Sequence, residues 1–91
     1  MGRTLVEHSK RKRLTPAERE NQILREAYGQ AEEKGLTKFT RVSVAEACGV
    51  TDGLVSRYFG TLRGLQEAVV VEARARDNAR LIADAVANGF T

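Results

Sequence analysis

The segment from Thr51 to Phe59, TDGLVSRYF, holds the densest set of side chains with recognisable chemistry, and Arg57 is the only long cation in it. A guanidinium is a rigid planar fork that pairs with two acceptors at once, as the O6 and N7 of guanine offer in the major groove of duplex DNA. If the segment is helical, 100° per residue places Gly53 and Arg57 opposite Val55 and Phe59, with Leu54 and Ser56 on the flanks. Gly53 would let a backbone come close; Thr51, Asp52 and Ser56 are short enough to probe base edges; Tyr58 packs or touches phosphate. The rival roles for Arg57 are a phosphate contact and a surface ion pair with Asp52, whose spacing suits a helix poorly.

Other reactive groups are few. Cys48 is the only cysteine and His8 the only histidine. A metal site needs three or four ligands and a catalytic triad needs partners, so neither an enzyme, a metal nor a cofactor is expected. No intrachain disulfide can form, and Cys48 occupies a small apolar position that suits a core.

The elements that would position Arg57 run from Arg41 to Gly60. Val44, Ala45 and Cys48 repeat at helical spacing, with the small Ala45 suited to a close helix crossing. Gly49 reaches a left-handed backbone at no steric cost and ends that helix, Val50 plugs the corner, and Thr51 caps the next. This pattern predicts a helix-turn-helix whose second helix lies in the major groove. The alternative is a pair of core helices joined by an ordinary glycine. Thr40 caps the first of the two, so both N-termini could meet phosphates, with Lys38 and Arg41 adding charge at the same edge.

The run Val44-Ala45-x-x-Cys48-Gly49-Val50-Thr51-x-Gly53-x-x-Ser56-x-Tyr58-Phe59 resembles the DNA-binding domain of the TetR family of bacterial regulators. Ile23, Leu24, Ala27, Gly35, Thr40 and Leu65 stand at the family's spacing, so the resemblance covers roughly residues 18 to 68. Three positions depart from the pattern: Ser56 replaces an aromatic of the recognition helix, Ala31 a phenylalanine of the first helix, and Leu62 the lysine that opens the fourth. Arg63, one residue on, is the candidate for the missing charge. The resemblance implies a dimer on a palindromic double-stranded DNA operator. The family usually carries a long ligand-binding domain after this head, for which the chain leaves no room, so no small-molecule inducer is expected.

Arg3, Lys10, Arg11, Lys12 and Arg13 against Glu7 put +4 on the first thirteen residues, whereas the whole chain carries +3. The body is therefore near neutral, and residues 1–14 read as a basic arm that tracks DNA through Lys10, Arg11, Lys12 and Arg13, or else as a solvated tail. No signal peptide or membrane span is evident, which points to a cytoplasmic, nucleoid-associated protein with no membrane partner.

Behind the arm, residues 15–60 read as a three-helix head in an all-α fold. Thr15-Pro16-Ala17-Glu18 is a capping box, Ile23, Leu24, Ala27, Tyr28 and Ala31 form one face of the first helix, and Gly35 ends it; residues 36–39 are a connector. Residues 61–91 read as one long dimerisation helix, straight or bent, in which Gly64 is the only breaker between Leu62 and about Asn88. Leu65, Ala68 and Val69 face the head, and Val71, Ala75, Ala79, Ile82 and Val86 form a second stripe, widened by Leu81 and Ala85, that reads as a homodimer seam. The alternative is a hairpin with its corner at Asn78 or within the polar stretch 74–80.

The function this implies is sequence-specific DNA binding, first as a small dimeric repressor acting by operator occupancy. A plasmid-partition or recombination accessory protein, and a helix-turn-helix scaffold that binds protein instead of DNA, are the other classes. Preference among duplexes separates the scaffold from the DNA binders, and cooperative filling of tandem sites would mark the partition role.

Overall fold

In a computed structural model that describes residues 14–90, the chain forms five helices and, among those residues, no strand: α1 (Pro16–Lys34), α2 (Arg41–Cys48), α3 (Asp52–Phe59), α4 (Leu62–Ala75) and α5 (Ala79–Ala87). The fold is all-α. Lys10, Arg11, Lys12 and Arg13 lie outside the described residues.

α1 opens as its capping box requires. Glu18 N donates to Thr15 Oγ1 at 3.1 Å, and Thr15 N donates back to Glu18 Oε1 at 2.8 Å. Its inner face buries Ile23, Ala27, Tyr28 and Ala31, with Leu24 half-buried beside them. Val44 of α2, Val55 of α3, Leu65 and Val69 of α4 and Leu81 of α5 join the same core. The connector after α1 is more than a link: Leu36 and Phe39 are 0% and 1% exposed. Leu36 N donates to Asp84 Oδ2 at 2.8 Å, which fastens the connector to α5.

The single long C-terminal helix is corrected to two. α4 ends at Ala75, Asp77 takes a left-handed φ of 59°, and Asn78 N closes back on Ala73 O at 2.8 Å. This is the backbone pattern that terminates a helix, with an aspartate in the place more often held by glycine. Asn78 then caps α5 by accepting from Leu81 N at 3.2 Å, while its Nδ2 donates to Tyr28 OH at 2.9 Å and Glu32 Oε2 at 3.1 Å. The corner is therefore tied to α1 from the side. α5 returns along α4 and buries Leu81, Ala85 and, past Gly89, Phe90. Full burial of a leucine or phenylalanine contributes about 1.5–3 kcal/mol, a gain that a straight continuation would leave in water.

The five-residue seam is divided by the same turn. Val71 and Val86 are 66% and 60% exposed, Ala75 and Ala79 are exposed, and Ile82 is half-buried against the chain's own core. Leu81 and Ala85 face inward. Gly64 does not bend α4; it lies in the first turn, where its missing Cβ allows close approach to the Phe59 carbonyl.

Candidate nucleic-acid interface

The turn between α2 and α3 is built from backbone bonds. Gly49 sits at φ 71°, ψ 31°, Val50 N donates to Ala45 O at 2.9 Å and Gly49 N to Glu46 O at 3.2 Å. The paired bonds satisfy the last carbonyls of α2 and reverse the chain within two residues. Thr51 Oγ1 accepts from Leu54 N at 3.1 Å and opens α3. At the other end of α2, Thr40 and Ser43 cap each other: Ser43 N donates to Thr40 Oγ1 at 3.0 Å and Thr40 N to Ser43 Oγ at 3.1 Å. Ser43 Oγ donates to Gln30 Oε1 at 2.6 Å, and Gln30 Nε2 donates to Ser43 O at 3.2 Å and Glu26 Oε2 at 3.0 Å. A buried glutamine of α1 thus locks α2, and its donors and acceptor are all engaged.

On α3, Val55 is fully buried and Phe59 and Tyr58 pack half-buried on the core. Arg57 and Gly53 are exposed, and Leu54 and Ser56 are partly exposed. Among the described residues Arg57 makes no hydrogen bond or ion pair. Gly53 is not demanded by packing: a Cβ there would meet only Thr51 Oγ1, at 3.8 Å. Lys38 and Thr40 are exposed on the same edge as the start of α2.

Two of the cations singled out in the sequence are engaged within the chain. Arg41 Nε lies 3.2 Å from Asp52 Oδ1 and Nη2 donates to Oδ2 at 3.4 Å, while Nη1 donates to Gly60 O at 3.0 Å. Asp52 is therefore paired with Arg41 and not with Arg57. Arg63 Nε is 3.5 Å from Glu67 Oε2, its Nη2 donates to Gly89 O at 3.3 Å, and its guanidinium lies 3.8 Å over the Phe90 ring. It anchors the segment after α5. Neither link was visible in the sequence, because the Arg41 pair spans 11 residues and the Arg63 contact with Gly89 spans 26.

The chain matches no family model, no curated protein and no solved structure. Among the described residues no cluster of three or more His, Cys, Asp or Glu could hold a metal ion, and no helix is long and apolar enough to cross a membrane. Burial, and after it Glu26, raises the Cys48 thiol above its ordinary pKa against a weaker pull from Arg19. The thiol therefore stays protonated at neutral pH, which suits packing and not nucleophilic attack.

Proposed function

We propose that this chain binds double-stranded DNA sequence-specifically as a homodimer and represses transcription by occupying a palindromic operator. The observation that carries the reading is Arg57: a guanidinium exposed and, among the described residues, unpaired, beside Gly53 on a short helix that a tight glycine turn presents at the surface. A long cation left without a partner is available to an outside acceptor, and the adjacent glycine removes the bulk that would keep a groove at a distance. The resemblance to TetR-family heads supports the same assignment, with α3 as the recognition helix. Lys38 and the N-terminus of α2 at Thr40 would contact phosphates, fixing register without reading sequence.

The dimer surface we assign is the outer face of the α4–α5 hairpin, where Val71 and Val86 stand exposed and Ala75 and Ala79 allow close approach. Joining two heads back to back would present two α3 helices to half-sites about one helical turn, roughly 34 Å, apart.

Selection from a pool of random duplexes tests the proposal, and Arg57→Ala refines it. The wild type should enrich a palindrome. Arg57→Ala should lose preference at one base pair in each half-site, worth about 1–3 kcal/mol, with random-DNA affinity nearly intact. Enrichment of no sequence would refute specific binding; equal weakening on all sequences, with the salt slope smaller by about 0.9, would make Arg57 a phosphate contact.

A further inference from the structure

Arg41 holds both ends of α3. It is the first residue of α2, Asp52 is the first residue of α3, and Gly60 follows the last. Nε and Nη2 of the guanidinium face the Asp52 carboxylate at 3.2 and 3.4 Å, and Nη1 donates to the Gly60 carbonyl at 3.0 Å. The sequence suggested Arg41 for phosphate and Asp52 for a base edge, yet the fold engages each with the other.

α3 has only eight residues, a length at which a helix has no independent stability. Its orientation therefore comes from its attachments. Val55 anchors its inner face, Phe59 and Tyr58 pack beside it and short turns tether its ends, but apolar contact is non-directional and specifies tilt less closely than a polar bond does. A planar fork with bonds to both termini is directional. The bonds at the two ends restrict tilt, and tilt decides where the tip of Arg57 falls. The cleft between the starts of α2, α3 and α4, lined by Thr40, Arg41, Asp52 and Thr61, also has its charge balanced within the chain.

We propose that Arg41 is a positioning residue that sets the tilt of α3, and so the base pair Arg57 reaches, without itself touching DNA. This rests on the reading of α3 as a recognition helix. Asp52 Oδ1 is buried and, among the described residues, held by the Arg41 ion pair alone, but the two side chains remain 32% and 41% exposed, and ion pairs this open add little to global stability. The effect belongs in specificity.

The test uses Arg41→Ala, Arg41→Lys, Asp52→Ala and the double variant Arg41→Ala/Asp52→Ala, measured on the selected operator and on random duplex at several salt concentrations. Arg41→Ala should lower the operator-to-random ratio by about tenfold, equivalent to 1.4 kcal/mol, with the salt slope unchanged. Asp52→Ala should move the ratio the same way although it removes a negative charge, and the double variant should be no worse than either single one, as members of one unit behave. Arg41→Lys should fail to restore the ratio, because one ammonium cannot bridge both ends.

If Arg41→Ala weakens both DNAs equally and reduces the slope by about 0.9 while Asp52→Ala tightens binding, Arg41 is a phosphate clamp and the proposal is wrong. An unchanged ratio in Arg41→Ala also overturns it. Amide hydrogen exchange without DNA separates this failure from that of the underlying reading. Arg41→Ala should speed exchange in α3 and leave α1 protected, and unaltered α3 exchange refutes the tie even if the wild type selects no duplex at all.

Discussion

Gly64→Ala should destabilise the protein, although alanine is the better helix former. A Cβ built on Gly64 lies 2.3 Å from Phe59 O and 3.5 Å from its carbonyl carbon. Carbon and oxygen meet comfortably only from about 3.3 Å, so the first turn of α4 would have to retreat by about 1 Å. The oxygen is backbone and the position of a Cβ is fixed by the backbone, so no rotamer change relieves the clash. The retreat would also strain the cap in which Gly64 N donates to Thr61 Oγ1 at 3.1 Å, and would pull the fully buried Leu65 from its seat. Overpacking costs about 1–3 kcal/mol and a lost cap about 1 kcal/mol, against a gain below about 1 kcal/mol from replacing glycine in a helix. The net is a loss of about 2 kcal/mol, or roughly 10 °C in Tm for a domain of this size. Gly29 and Gly53 are the controls. Nothing lies within 4 Å of a Cβ at Gly29, in the middle of α1, so Gly29→Ala should stabilise by up to about 1 kcal/mol. Gly53→Ala, at the second position of α3, should gain a few tenths and yet weaken DNA binding. Urea unfolding followed by helical circular dichroism would measure all three, at one protein concentration because association shifts the midpoint. Gly64→Ala as stable as the wild type, or a loss at Gly29 of equal size, would refute the argument.

Two further substitutions probe the C-terminal hairpin. Asn78→Ala removes the α5 cap and the donor to the buried Tyr28 hydroxyl, so stability should fall by about 2–3 kcal/mol in the same urea experiment. Wild-type stability with raised helicity would instead mean that α4 and α5 run on as one helix. Val71→Glu combined with Val86→Glu should leave folding intact, because both side chains are more than half exposed, while sedimentation shows monomers and operator binding weakens. A double variant that stays dimeric at full affinity would place the seam elsewhere. Ile82→Glu is a poorer probe, since Ile82 packs on its own chain's core and its loss would mix unfolding with dissociation.

The features legible in the sequence are those made by residues within about one helical turn of each other. Thr15 with Glu18, Thr40 with Ser43 and Thr51 with Leu54 are caps spanning three residues, and Gly35 and Gly49 end helices through backbone angles their own type permits. The face of α1 was legible for the same reason: helical periodicity is a local property, and Ile23, Ala27, Tyr28 and Ala31 are all buried. Exposure of Arg57 followed from its place opposite Val55 on a helix whose ends were already marked.

That the chain turns after α4, at the corner the sequence offered near Asn78 only as the alternative to one long helix, was decided elsewhere. The stretch Arg76-Asp77-Asn78 contains neither glycine nor proline, and a helical repeat read through it continues without interruption. The left-handed angle at Asp77 becomes favourable because the turn lets Leu81, Ala85 and Phe90 bury against the rest of the chain and lets Asn78 reach Tyr28, 50 residues away. The burial of Leu36 and Phe39, the bond from Leu36 to Asp84 across 48 residues, and the hold of Arg41 on Asp52 and Gly60 are of the same kind. Each depends on which surfaces meet once the helices pack, and no periodicity within one segment carries that information. Tertiary packing thus assigned the cations, engaging Arg41 and Arg63 within the fold and leaving Arg57 without a partner among the described residues.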